Sequence, residues 1–178
     1  MTELPIRLFG DPVLRQPARP VERVTRVHRK LAHNMTETMR AAPGVGLAGP
    51  QVGVLERIFV WEVDDRSGTL INPVIELRSS ELAEAEEGCL SIPGLLYPVV
   101  RSTAVTVSGL DVDGNPTTLE AEGLLARVCQ HEIDHLDGVL FIDHLPERLR
   151  REALGQLRAQ LLGLAEPPTT AGHPGETL

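Results

Sequence analysis

Aromatic side chains are nearly absent: three Phe, one Trp and one Tyr make up 3% of the 178 residues. A core built from this chain must rest on Leu, Val, Ile and Ala. Lysine is almost missing too, with Lys30 the single one among 17 basic residues. A basic excess is also lacking. Twenty-five acidic residues against 17 basic ones leave a formal charge of −8. That balance excludes the positive footprint of non-specific nucleic-acid binding, and no specific DNA binding is expected. No apolar run approaches the roughly 18 residues of a membrane span, so no membrane association is expected. Residues 1–10 lack the charged start and long apolar stretch of a secretory signal. Two cysteines, Cys89 and Cys129, are too few for a disulfide framework. Together these absences favour a soluble protein of a reducing compartment, and the expected location is cytoplasmic.

What is there suits one domain. Apolar residues make up 42% and charged residues 24%, ordinary values for a globular chain. Pro5, Pro12, Pro17 and Pro20 make residues 1–20 an extended arm with at most one short turn. From Glu22 to Ala42, Val24, Val27, Leu31, Met35 and Met39 recur at helical spacing, and Pro43-Gly44 stops the run. Ile58–Val63 and Leu70–Leu77 read as strands. Ser102–Asp111 and Thr117–Ala121 read as a hairpin around Asp113-Gly114-Asn115-Pro116. Gly123–Leu136 reads as a helix ended by Gly138. Pro146 opens a last helix with Leu149, Ala153, Leu157 and Leu161 on one face and Arg148, Arg150, Arg151 and Arg158 on the other. A single domain is expected over residues 1–164, and a disordered tail over 165–178, where Pro, Gly and Thr leave little to bury. No internal repeat is evident.

His131-Glu132-Ile133-Asp134-His135 is the strongest local signal. Residues four apart share a helix face, so both imidazoles can reach one metal ion while Glu132 stays beside it as a general base. Two solvated histidines on an exposed helix are the plainer alternative, and Asp134 reads as a surface or supporting carboxylate. A metal needs a third ligand. Cys89, in Glu87-Gly88-Cys89-Leu90-Ser91, offers a thiolate or is simply a small buried side chain. Gly88 would permit a close backbone approach. Cys129 faces away from both histidines on a helix and reads as core. Gly44-Val45-Gly46-Leu47-Ala48-Gly49-Pro50-Gln51 allows a backbone to pass close to a ligand. It lacks the Gly-Lys-Ser or Gly-Lys-Thr of a phosphate loop, and Gln51 could equally be a surface amide. His28, His33, His144 and His173 have no partner pattern and read as structural or surface residues.

Taken together, GVGLAGPQ at 44–51, EGCLS at 87–91 and QHEIDH at 130–135 resemble the three ordered motifs of the peptide deformylases. The likeness extends through Leu70-Ile71-Asn72-Pro73, through Glu122 to Arg127 and through Asp137 to Phe141, and covers roughly residues 5–160. One departure is Gly49, where the family usually has a second Ala. Loss of that methyl is expected to loosen packing without removing a reacting group.

The resemblance implies removal of the N-formyl group from the initiator methionine of new polypeptides, with release of formate. Cys89, His131 and His135 match the metal ligands. Glu132 matches the general base, and the Gln51 amide and Leu90 N–H match the oxyanion donors. The implied cofactor is one divalent ion, Fe(II), replaceable by Zn(II), Ni(II) or Co(II). An extended N-formyl-methionyl peptide would bond to the backbone of Val45 and its neighbour Gly46, beside Gly88, with its methionine side chain between Leu124 and Val128. Arg101 matches an Arg near the peptide's path, or is a solvated strand-end charge. The implied fold is α+β, with mostly antiparallel strands around a central helix carrying the histidines and a helix near each end. Two rival readings are a zinc peptidase, disfavoured by Cys89, and a silent metal-binding or ribosome-docking module, disfavoured by Glu132 and Gln51. The arginine face of the last helix could dock on ribosomal RNA, although Glu147 and Glu152 also suit a plain solvated face.

Overall fold

The segment Ile58–Val63 dictates the layering. Phe59, Trp61 and Val63 face one way, Ile58 and Val60 the other, and all five are buried. A strand apolar on both faces needs cover on both. The computed structural model describes residues 3–164 and supplies that cover with one helix on each side. The expected tail lies outside the described residues, as does His173.

In chain order the elements are α1 (Arg26–Ala41), β1 (Gly46–Ala48), β2 (Ile58–Val63), β3 (Arg66–Arg78), β4 (Leu82–Cys89), β5 (Ile92–Ser102), β6 (Ala104–Leu110), β7 (Pro116–Glu122), α2 (Gly123–Leu136) and α3 (Glu147–Leu161). Five strands form an antiparallel sheet in the order β1-β2-β3-β6-β7, and β4-β5 form a separate hairpin. Met35 and Met39 of α1 pack on Leu47, Ile58, Val60 and Ile71. Leu125, Ala126, Val128 and Cys129 of α2 pack on the opposite face, against Phe59, Trp61, Leu70 and Val107. Ala153 and Leu157 of α3 join a third cluster with Leu95, Tyr97 and Val99 of β5. The class is α+β, with antiparallel strands around α2.

Several elements differ from their sequence reading. The first helix starts at Arg26 because Thr25 caps it: its hydroxyl accepts from the Val27 amide at 3.3 Å, while His28 Nδ1 accepts from the Thr25 amide at 2.9 Å. The buried face is then His28, Ala32, Met35, Thr38 and Met39, and Val27, placed in the apolar stripe, is 73% exposed. His28 is thus a structural residue, and His33 lies on the surface. At the other end, Leu161 is exposed while Ala153 and Leu157 of the same expected face are buried. Pro146 stands just before α3 and not within it. The β4-β5 hairpin has no counterpart in the sequence reading. Both cysteines are free, and Cys129 is wholly buried between α2 and the sheet.

Candidate metal centre

The central helix α2 carries His131 and His135 one turn apart on one face. Its C-terminal end is pinned: the Leu136 carbonyl accepts from the Ala18 amide at 2.8 Å, and Arg57 pairs with Asp137 at 2.6 Å. Otherwise unpaired carbonyls at a helix end are thereby satisfied. Cys89 arrives from the other side, at the end of β4, where the pairing with β5 shifts register between Glu87 and Cys89. Gly88 is buried within that irregularity, and its φ is not in the left-handed region.

These elements bring three donors together. Cys89 Sγ lies 3.2 Å from His135 Nε2, and one ligand atom from each of Cys89, His131 and His135 falls within 4.8 Å of the others. All three residues are buried. Thiolate and imidazole donors sharing one ion stand about 3–4 Å apart, so the spacing fits a metal. The polar inventory fits as well. His131 Nε2 is buried without a partner, while its Nδ1 is 3.1 Å from Glu87 Oε2. Burial, then the charges of His131, Arg101 and Arg15, hold His135 well below the usual histidine range, so the ring is neutral, the ligating form. Burial pushes the Cys89 thiol up to about 12, against hydrogen bonds from Ser91, with the Glu132 charge adding to the rise. A coordinated cation reverses that preference and deprotonates a thiol.

Glu132 is wholly buried beside the cluster, and both its carboxyl oxygens are unpartnered. Burial, and then the charges of Glu87 and Asp134, hold it well above the ordinary carboxylate range. Gln51 sits in a short 3-10 turn, Gly49–Val52. Its Oε1 accepts from the Ala48 amide at 2.7 Å, and its Nε2 donates to Cys89 Sγ at 3.6 Å. Leu90 follows Cys89 in the hairpin turn, with its side chain against Gly44. The arm at residues 7–9 stitches the two loops from behind: the Arg7 amide donates to the Gln51 carbonyl at 2.7 Å and the Phe9 amide to the Ser91 carbonyl at 2.8 Å.

Gly46 lies on the edge strand β1, against Glu132 and Val128. The Val45 carbonyl accepts from the Glu62 amide at 2.9 Å. Val128 is wholly buried, and half-buried Leu124 packs on the same cluster. Arg101 does not lie free along a peptide's path, nor is it a solvated strand end. It is 6% exposed, and its guanidinium grips Glu87 at 2.9 and 3.0 Å and Asp134 at 2.6 Å. Its charge is balanced inside the protein by the Glu87 and Asp134 carboxylates. Glu87, Arg127 and His144 are the residues that motif reading passed over. Glu87 bonds His131, Arg127 bonds Glu87, and His144 Nε2 lies 2.7 Å from Asp134. Despite the cost of burial, the bonds from His131 and Arg101 keep Glu87 far below its ordinary range. The local sign was an arginine inside an otherwise buried helix, four residues before His131.

A family model described as polypeptide deformylase matches residues 3–151. The chain belongs to the peptide deformylase family. The peptide deformylase of Acidothermus cellulolyticus is 49% identical over 98% of this chain and 97% of its own. The crystal structure of the Thermus thermophilus peptide deformylase superposes with a TM-score of 0.84 at 50% identity, covering 90% of this chain and 96% of that one. The Ehrlichia chaffeensis peptide deformylase in complex with actinonin gives 0.86 at 38% identity, over 90% and 98%. The buried Cys89, His131 and His135 fit the single metal ion of this family.

Proposed function

We propose that this deformylase hydrolyses the N-formyl group of the initiator methionine in newly made polypeptides, releasing formate and a free amine. The observation that carries the reading is the pairing of a buried Cys-His-His donor set with Glu132, whose carboxyl oxygens have no other partner. Cys89, His131 and His135 would hold a divalent ion, which would supply Lewis acidity toward water and the formyl oxygen.

The chain's own residues do the rest. Glu132 takes a proton from the attacking water and passes one to the departing amine. Attack on the formyl carbon leaves a tetrahedral oxyanion. The Gln51 Nε2 amide and the Leu90 N–H serve it as donors, each of a kind worth about 3–4 kcal/mol. The substrate adds as an extended strand at the open edge of β1 near Val45 and Gly46 and beside Gly88. Leu124 and Val128 take the methionine side chain. Residues 3–164 serve as a single catalytic domain.

The physiological ion is Fe(II), with Zn(II), Ni(II) and Co(II) as replacements, since a mixed sulfur and nitrogen set binds all of them. The setting is cytoplasmic, beside the ribosome. Arg148, Arg150, Arg151 and Arg158 are exposed on α3 and could meet ribosomal RNA there. Unchanged pelleting with ribosomes after deletion of residues 147–178 would remove that docking role.

The deciding experiment is anaerobic hydrolysis of N-formyl-Met-Ala-Ser by the Fe(II) or Ni(II) protein beside its Glu132→Ala variant. Formate release by the wild type alone is expected. No release from protein holding one equivalent of metal would favour a silent module. Equal release by both proteins would remove Glu132 as the base.

A further inference from the structure

At its far end the hairpin that delivers Cys89 is tied to α2 through Gln130, whose side chain accepts from the Ser102 amide at 3.2 Å and donates to the Ser102 carbonyl at 2.9 Å. Residues Leu82 to Glu86 of β4 are all exposed, and β4 pairs with β5 alone. Arg127 supplies a second tie. It stands on α2 four residues before His131, on the same face one turn earlier. Its guanidinium is buried and donates to Glu87 Oε1 at 2.7 Å, to the Val99 carbonyl at 2.8 Å and to the Ala83 carbonyl at 2.8 Å. One planar group thus reaches β4 at two levels and β5 at a third.

Glu87 passes this constraint on. Its other oxygen, Oε2, lies 3.1 Å from His131 Nδ1, and Arg101 grips both oxygens from the hairpin side. A carboxylate caught between two guanidinium groups has one place to stand, and an imidazole bonded to it is oriented with it.

We propose that Arg127 is a positioning residue of the metal centre. Through Glu87 it fixes the plane of His131, and through the Ala83 and Val99 carbonyls it fixes the approach of the strand that ends in Cys89. This rests on the reading of Cys89, His131 and His135 as metal ligands. The role needs a guanidinium: a lysine ammonium could pair with Glu87 but could not serve three acceptors as a fixed planar fork.

The test is Co(II) affinity, by chelator competition, for metal-free wild type, Arg127→Met and Arg127→Lys. It is run at a temperature where circular dichroism shows each protein folded, with the thiolate-to-cobalt absorption band recorded alongside. Arg127→Met is expected to bind Co(II) roughly 10- to 100-fold more weakly with an altered band, the usual range for losing an outer partner of a ligand. Wild-type affinity and an unchanged band in folded Arg127→Met would overturn the proposal, because a merely structural arginine shifts the melting temperature alone. Should that variant not fold, Arg127→Lys decides: a loss of about 10-fold supports the role, and wild-type affinity overturns it. A wild type that takes up no Co(II) would instead overturn the ligand assignment, and the proposal with it.

Discussion

A Cβ on Gly46 would fall 2.9 Å from the carboxyl carbon of Glu132 and 3.0 Å from Cγ1 of Val128. The φ of Gly46 is not in the left-handed region, so glycine is needed for space and not for backbone freedom. The carboxyl group, without hydrogen-bond partners of its own, is held in place by this strand wall.

Gly46→Ala should therefore displace Glu132 and leave the three ligands alone. Hydrolysis of N-formyl-Met-Ala-Ser is expected to fall about 100-fold or more, as when a general base is misplaced. Metal content by elemental analysis should stay at one equivalent. Turnover within a few-fold of wild type would mean that Glu132 has room to work elsewhere.

Gln51 has two jobs, and a single substitution separates them by readout. Its Oε1 accepts from the buried Ala48 amide, while its Nε2 points at Cys89 Sγ. Gln51→Leu should slow turnover roughly 100-fold or more through the lost donor. It should also cost about 1–3 kcal/mol in urea unfolding, because the Ala48 N–H is left unpaired. Loss of bound metal in this variant would make Gln51 structural and remove it from the oxyanion site.

The parts of this site that could be read in the sequence are those with short-range signatures. The α2 boundaries, Gly123–Leu136, follow from apolar periodicity and a following glycine, and β2 is apolar at every position but Glu62. The β4-β5 hairpin was illegible for a physical reason. Its first strand alternates Ala83, Glu84, Ala85 and Glu86, all exposed, so no buried face marks it, and Pro93 and Pro98 interrupt the second strand. The network around Glu87 was hidden because its pairs join residues far apart in the chain: Arg101 is 14 residues from Glu87 and Arg127 is 40. Nothing next to Arg101 in the chain marks Glu87 and Asp134 as its partners.

Gly49 reverses an expectation. Loss of the family's usual methyl should have left slack, yet the space is filled by backbone. A Cβ there would meet the Val54 carbonyl oxygen at 2.7 Å and the Glu56 carbonyl oxygen at 2.8 Å. Neither can swing aside like a flexible side chain. Gly49→Ala, a change toward the family pattern, should thus destabilise the protein by about 1–3 kcal/mol through overpacking. The check is the urea midpoint at constant m-value. A gain of about 0.4–1 kcal/mol, as for an unstrained glycine replacement, would show that the segment after Gly53 yields freely.

The buried Glu132 also sets a pH dependence of stability in the metal-free protein. Its folded pKa is raised, first by burial and then by Glu87 and Asp134, above the ordinary 4.5. Between those two values the folded state holds a proton that the unfolded state has released. Folded protein then binds more protons than unfolded, so stability falls as pH rises, by at most about 1.4 kcal/mol per pH unit from this one group. Glu132→Gln keeps the shape and removes the titration. In chelator, the variant should match the wild type near pH 4 and be more stable than it at pH 8. Urea unfolding at three pH values across that span measures the divergence. A wild type that gained on the variant as pH rose would mean that the carboxylate is ionised in the folded chain and stabilised by a cation. Burial would then not be what controls the proton affinity of Glu132 in the metal-free protein.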